Sequence, residues 1–313
     1  MAMPVTPSQL RLFLVIVLMS LVCRSIGVAR QSDATSLTLQ VSTSARSLSP
    51  GGVALLSITS SRPIVSLEGE APGQTLTTWR AANSTTWHAL VGIALDSAAR
   101  PLNVELRATD EGGRSTEGHI ALAVVRARFI TRRLQVDERF VDPPASAADR
   151  IARDAKVLND LFMQQHERLW RGAFSAPVPG ASTSSFGRRT VLNGKSRGRH
   201  QGTDFRAAEG TAVRAPNAGR IVLADDLYMS GNTVVIDHGA GLFSLLAHLS
   251  RLGVSAGARV ARGDIVGDAG STGRATGPHL HWAVRLHGTT VNPLSLMAAL
   301  ATLGDDASPR ARR

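Results

Sequence analysis

The stretch His279-Leu280-His281-Trp282-Ala283-Val284-Arg285 decides how the C-terminal half of this chain is read. From His281 onward it is a strand candidate, and strand side chains repeat every two residues, so the imidazoles of His279 and His281 share one face. Thr211-Ala212-Val213, Gly219-Arg220-Ile221-Val222-Leu223 and Thr233-Val234-Val235-Ile236 are further strand candidates, separated by glycine-bearing turns. Residues 173–300 are therefore expected to form an antiparallel β-sheet domain.

A second cluster lies upstream at His200-Gln201-Gly202-Thr203-Asp204. In an extended chain His200 and Asp204 project to the same face, with Gly202 between them offering no side chain to block an ion. Two histidines and one carboxylate are the usual three-ligand set of a catalytic zinc, with one position left for water. Four groups are available for three places, so one histidine is left over. His248, in Leu245-Leu246-Ala247-His248-Leu249-Ser250, taken alone reads as a hydrogen-bonded core residue. His88 and His119 are expected to be ordinary surface or hydrogen-bonded histidines, and His166 has no second ligand three or four residues away on its helix. His238 and His287 are expected at the surface or in turns.

Working back toward the N-terminus, residues 143–172 change period. Ile151, Leu158, Leu161, Phe162 and Leu169 recur at helical spacing behind Ser146 and Asp149, which predicts an amphipathic helix capped by Ser146. Residues 37–130 alternate apolar and polar residues between turn clusters such as Ser49-Pro50-Gly51-Gly52 and Asp110-Glu111-Gly112-Gly113, which predicts a β-sandwich. The fold class is thus mainly β: an N-terminal sandwich, a helical linker and a C-terminal antiparallel sheet. Arg11 precedes a predominantly apolar run from Leu12 to Val22, followed by Gly27-Val28-Ala29. That pattern predicts a signal peptide over 1–29, since the run is short of the roughly 20 residues that span a bilayer. Export to the periplasm is expected, with an inner-membrane anchor if the segment is retained. Residues 304–313 read as a disordered basic tail.

Composition limits the alternatives. Lys+Arg number 35 against 24 Asp+Glu, a net charge of +11, and Lys156 and Lys195 are the only lysines. An arginine-rich surface stays cationic in any compartment and suits an anionic partner. No phosphate-binding loop or nucleic-acid motif is present and aromatics are 4% of the chain, so nucleic acid is not the expected partner. The single cysteine, Cys23, rules out an intramolecular disulfide framework and a thiolate-rich metal site.

Ser185-Phe186-Gly187-Arg188-Arg189, Asn193-Gly194, the H-x-G-x-D of His200 to Asp204, Ala247-His248-Leu249-Ser250 and Gly273-Arg274-Ala275-Thr276-Gly277-Pro278-His279-Leu280-His281 occur in that order. The series resembles the lysostaphin-like (LytM-type) zinc metallopeptidases, which cut peptide bonds in peptidoglycan. The resemblance implies a groove and one zinc per chain, held by His200, Asp204 and His281. It makes His248 and His279 the catalytic histidines, so His248 must reach the site from a different strand, and it places Arg189 and Asn193 as groove lining. The family often has tyrosine where this chain has Leu246, which implies an altered substrate contact. The expected activity is endopeptidase cleavage of stem peptides or cross-links, with glycine bridges left open, by a monomer working with a cell-division or wall-remodelling protein. The rival is a non-catalytic wall-binding regulator of a separate amidase.

Overall fold

The computed structural model describes residues 36–135, 142–183 and 186–303. The signal over 1–29 and the tail over 304–313 lie outside the described residues. Two four-stranded antiparallel sheets come first. One orders β1 (Leu39–Ala45), β2 (Val53–Ser60), β6 (Trp87–Gly92) and β5 (Thr78–Trp79); the other orders β4 (Gln74–Leu76), β3 (Ile64–Ala71), β7 (Leu102–Asp110) and β8 (Ser115–Leu122). Alternation builds the sandwich: Val104, Leu106 and Ala108 of β7 are buried between exposed Asn103, Glu105 and Arg107, and they share a core with Leu56, Ile58 and Val91. The opposite face of β2 and β6 is covered too. Val53, Leu55 and Leu90 join Trp79, Trp170, Val291 and Leu296 in a second core, which explains the unbroken apolar run at Val53–Leu56.

Helix α1 spans Ala148–Phe162, shorter than the expected 143–172. A 3₁₀ turn at Ala145–Ala147 precedes it, so Ala147 rather than Ser146 holds the N-cap position, and no side chain caps it. After Phe162 the chain turns to other partners: the N–H groups of Leu169 and Trp170 both donate to the His238 carbonyl, at 2.8 and 3.2 Å.

The C-terminal half is built on a nine-stranded sheet. Its path runs β12 (Thr203–Phe205), β19 (Leu280–Leu286), β16 (Leu242–Leu252), β15 (Gly231–Gly239), β14 (Gly219–Leu227) and β17 (Arg259–Val260), with β13 (Ala212–Arg214), β18 (Ile265–Ala269) and β20 (Thr289–Val291) attached. Helix α2 (Pro293–Leu300) follows, capped by the Asn292 side chain, which accepts the Leu294 N–H at 3.0 Å. A separate three-stranded sheet adds β9 (Thr131–Leu134) in parallel to the hairpin of β10 (Arg189–Leu192) and β11 (Lys195–Arg199). From Leu37 on, all of this is one compact unit. No helix among the described residues is long and apolar enough to cross a membrane.

Register positions the site. Asp204 pairs with His281 across β12 and β19, and Ala247 pairs with His281 across β16 and β19. In β19, Leu280, Trp282, Val284 and Leu286 are buried in the core, which turns His281, Ala283 and Arg285 to the other face.

Candidate metal centre

Asp204 sits at the middle of β12 and His200 just before it. The Nδ1 of His281 and the Nε2 of His200 donate to the same Asp204 oxygen, Oδ1, at 3.0 and 3.1 Å. One ligand atom from each of the three residues falls within 4.8 Å of the others. Around a tetrahedral zinc with bonds of about 2.0–2.1 Å, neighbouring ligand atoms are about 3.3 Å apart, so both histidine contacts to Asp204 already have ligand spacing and the donor set suits the ion. Gly202 permits the approach: a Cβ there would lie 2.5 Å from Cε1 and 2.6 Å from Nε2 of His281. The imidazole thus fills the space that a side chain at 202 would need.

Burial alone would raise the Asp204 carboxyl, but the hydrogen bonds from His200 and His281 outweigh it and hold the group well below the usual carboxylate range. Burial pushes the His281 imidazole below its ordinary value. An ionised carboxylate and an unprotonated imidazole are the forms that bind a divalent cation.

His248 reaches the cluster from β16. The β15–β16 register shifts between the Asn232–Leu249 and Val234–Leu246 pairs, and His248 has φ of 63°, a left-handed conformation rare outside glycine. Its ring centroid lies 4.8 Å from that of His279 and 5.9 Å from that of His281, and His279 Nε2 is 3.9 Å from Asp204 Oδ1. Both rings are fixed by main chain. His248 Nδ1–H donates to the Thr272 carbonyl at 2.9 Å and His279 Nδ1–H to the Gly277 carbonyl at 2.8 Å. A carbonyl only accepts, so each neutral ring carries its proton on Nδ1 and leaves Nε2 with a free lone pair. Burial, reinforced by the neighbouring His281, lowers His248 to about 4.

These five side chains line a groove of about 830 Å³. Leu158 and Phe162 of α1 contribute to its lining, as do Thr190, Leu192 and Arg199 of the β10–β11 hairpin. Arg189 and Asn193 are not among the lining residues. Arg188, Thr190 and Leu192 face the groove, so strand alternation turns Arg189 to the exposed reverse side, while Asn193 sits in the hairpin turn with φ of 47°.

Two other positions differ from expectation. His238 is fully buried rather than at the surface: its Nδ1–H donates to the Ala218 carbonyl at 2.8 Å, and its Nε2 accepts from Ser244 Oγ at 2.9 Å. The same Oγ accepts from Trp282 Nε1–H at 3.1 Å, and burial lowers His238 to about 4. Leu246 belongs to the core on the far side of the sheet, so a tyrosine there would not point into the groove. His166, beyond the end of α1, lies 2.5 Å from Asp237 through Nδ1, a pairing that 71 residues of separation concealed. His287 occupies the turn between β19 and β20.

Residues 198–293 match the model of peptidase family M23. This segment carries a peptidase family M23 domain, and the sheet has the lysostaphin-like fold. The chain is 44% identical over 97 residues to the DD-carboxypeptidase/endopeptidase Mpg of Neisseria meningitidis, a stretch covering 31% of this chain and 22% of that protein. It is 37% identical over 123 residues to the murein hydrolase activator EnvC of Escherichia coli, covering 39% and 28%. A crystal structure from Pseudomonas aeruginosa assigned to peptidase M23 superposes with a TM-score of 0.62 at 29% identity, covering 80% of this chain and 95% of that one. The chain therefore spans about a quarter of the length of these curated relatives.

Proposed function

We propose that this chain is an exported zinc metalloendopeptidase that hydrolyses peptide bonds in peptidoglycan. The observation that supports it most is convergence: a His–Asp–His donor set and two histidines with open Nε2 atoms meet in one groove. Zinc held by His200, Asp204 and His281 would polarise a peptide carbonyl and make water acidic enough to lose a proton near neutral pH. His248 and His279 do the proton handling. Either can take a proton at Nε2 and return it to the leaving amine, and a protonated ring donates to a developing oxyanion. The Thr272 and Gly277 carbonyls hold both rings in the tautomer this requires.

Peptidoglycan as substrate is supported by the family and by relatives named for endopeptidase activity. A periplasmic location follows from the apolar segment behind Arg11. The likeness to a murein hydrolase activator favours a second reading, a wall-binding regulator without activity. A complete donor set weighs against it, because a regulator has no need of one.

Purified protein is expected to hold one zinc per chain and to release peptides from peptidoglycan, with mass analysis of the released muropeptides identifying the bond. Replacing both His248 and His279 by alanine should abolish release. Full hydrolysis by that double variant overturns the proposal. So does a wild-type protein that cuts nothing yet stimulates an amidase.

A further inference from the structure

The groove is charged with one sign. Arg132, Arg188, Arg199, Arg274 and Arg285 line it, and Asp204, already committed to the donor set, is the sole acidic residue among the described lining. Arg188 Nη2 is 4.0 Å from Asp204, but its Nε is buried without a hydrogen-bond partner among the described residues, as is Arg199 Nη1. Aromatic rings hold two of the guanidinium groups in place without neutralising them. Arg199 lies 4.9 Å from the Phe129 ring centroid and Arg285 5.4 Å from that of Phe162. Arg285 also donates to Gln201 Oε1 at 3.0 Å, and no carboxylate among the described residues pairs with it. For Arg199 and Arg285, partly buried and paired with no carboxylate among the described residues, that charge is costly until a ligand supplies an anion. Arg285 lies four residues from His281 along β19, about 13 Å at roughly 3.3 Å per residue, so the charge extends over several residues of a bound peptide.

We infer that the groove selects peptides whose carboxylates are free rather than amidated, with one carboxylate near the metal centre facing Arg188 and Arg199 and another farther along facing Arg285. The inference rests on the proposed peptidase reading and narrows its substrates to acidic stem peptides, setting aside uncharged glycine bridges.

Calorimetric titration of the full chain with two synthetic peptides tests it. One contains diaminopimelate and D-alanine with every carboxylate free; the other is identical but amidated. The free acid should bind at least ~10-fold more tightly, the scale of one charge-assisted contact, and Arg188→Gln and Arg285→Gln should each narrow that gap. Equal affinities for the two peptides overturn the inference, and so does a preference that neither substitution changes. The wild-type comparison needs no variant, so a substitution that misfolds leaves the test intact. Cleavage is followed separately: preference without cleavage removes the peptidase reading and keeps the selectivity, whereas cleavage of both peptides with equal affinity does the reverse.

Discussion

The sandwich and the nine-stranded sheet are both antiparallel, yet they treat polar residues in opposite ways. In β8, Ser115, Glu117 and His119 point to solvent and need no assigned partner. In β15 and β16 every residue from Thr233 to Gly239 and from Leu242 to Leu249 is buried, because one face meets the main core and the other packs under α1 or floors the groove. There each polar side chain has a partner: Thr233 with Ser230, Asp237 with His166, His238 with Ser244, His248 with the Thr272 carbonyl. A polar group under two covers persists only where its partner is fixed, since an unpaired one costs about 1–3 kcal/mol. The same fixed partner sets a ring's tautomer. His119 and His248 are therefore different chemical reagents for reasons that lie around them.

That contrast breaks most sharply at glycine. Gly202→Ala drives a Cβ into the His281 ring, so zinc content and hydrolysis should fall together, hydrolysis by at least ~100-fold. Gly73→Ala in the sandwich meets nothing within 4 Å and has only its φ of +73° against it, costing about 1 kcal/mol of stability with zinc and activity unchanged. Equal losses at the two sites would erase the distinction.

A smaller effect belongs to His238 and is read by pH. The unfolded chain takes up a proton at His238 near 6.5, whereas burial holds the folded group at about 4. Between those values the unfolded state binds the extra proton, so the stabilisation is complete above 6.5 and about 2–3 kcal/mol of it is lost as pH falls toward 4. Urea denaturation from pH 7 to 4 should show this loss in the wild type and a shallower slope in His238→Phe. The same slope in His119→Phe as in His238→Phe would place the effect elsewhere. Smallest is Leu246→Tyr, which restores the residue the family often carries. Because position 246 faces the core, the phenol should overpack it by about 1–3 kcal/mol without raising the hydrolysis rate, as thermal melts and peptide release will show.

Features that depend on local spacing were legible beforehand. The H-x-G-x-D and H-x-H pairs, the alternation in β7 and the first turns of α1 need only neighbours along the chain. What escaped depends on distant partners or on single-residue register. No glycine or proline stands between Phe162 and Trp170 to mark the end of the helix; beyond it Leu169 and Trp170 bond to a carbonyl 68 or more residues away in β15. Gly239 and Gly241 made His238 look like a turn residue, although β15 continues through it to Gly239. Arg188 and Arg189 are chemically equivalent in a sequence, and only the register of β10 decides which one enters the groove. The carbonyls of Thr272 and Gly277, which fix both histidines, have no sequence signature, because every residue has a carbonyl.

The covered outer face of β2 and β6 bears on how such a protein can be rebuilt. Trp79 meets Trp170 edge-on at 5.1 Å, Ser295 Oγ accepts the Val53 N–H at 2.9 Å, and Gly51 accepts the Asn292 N–H at 2.8 Å. Both sides of this seam are written into one chain, so they must change in step. A recombinant that keeps the groove but receives a foreign front module inherits half a joint, with an apolar surface exposed to water and to other copies of itself. Exchange of modules at this boundary is therefore an engineering problem of matching surfaces, with Val53, Leu55, Trp79 and Leu90 as the residues to transplant together.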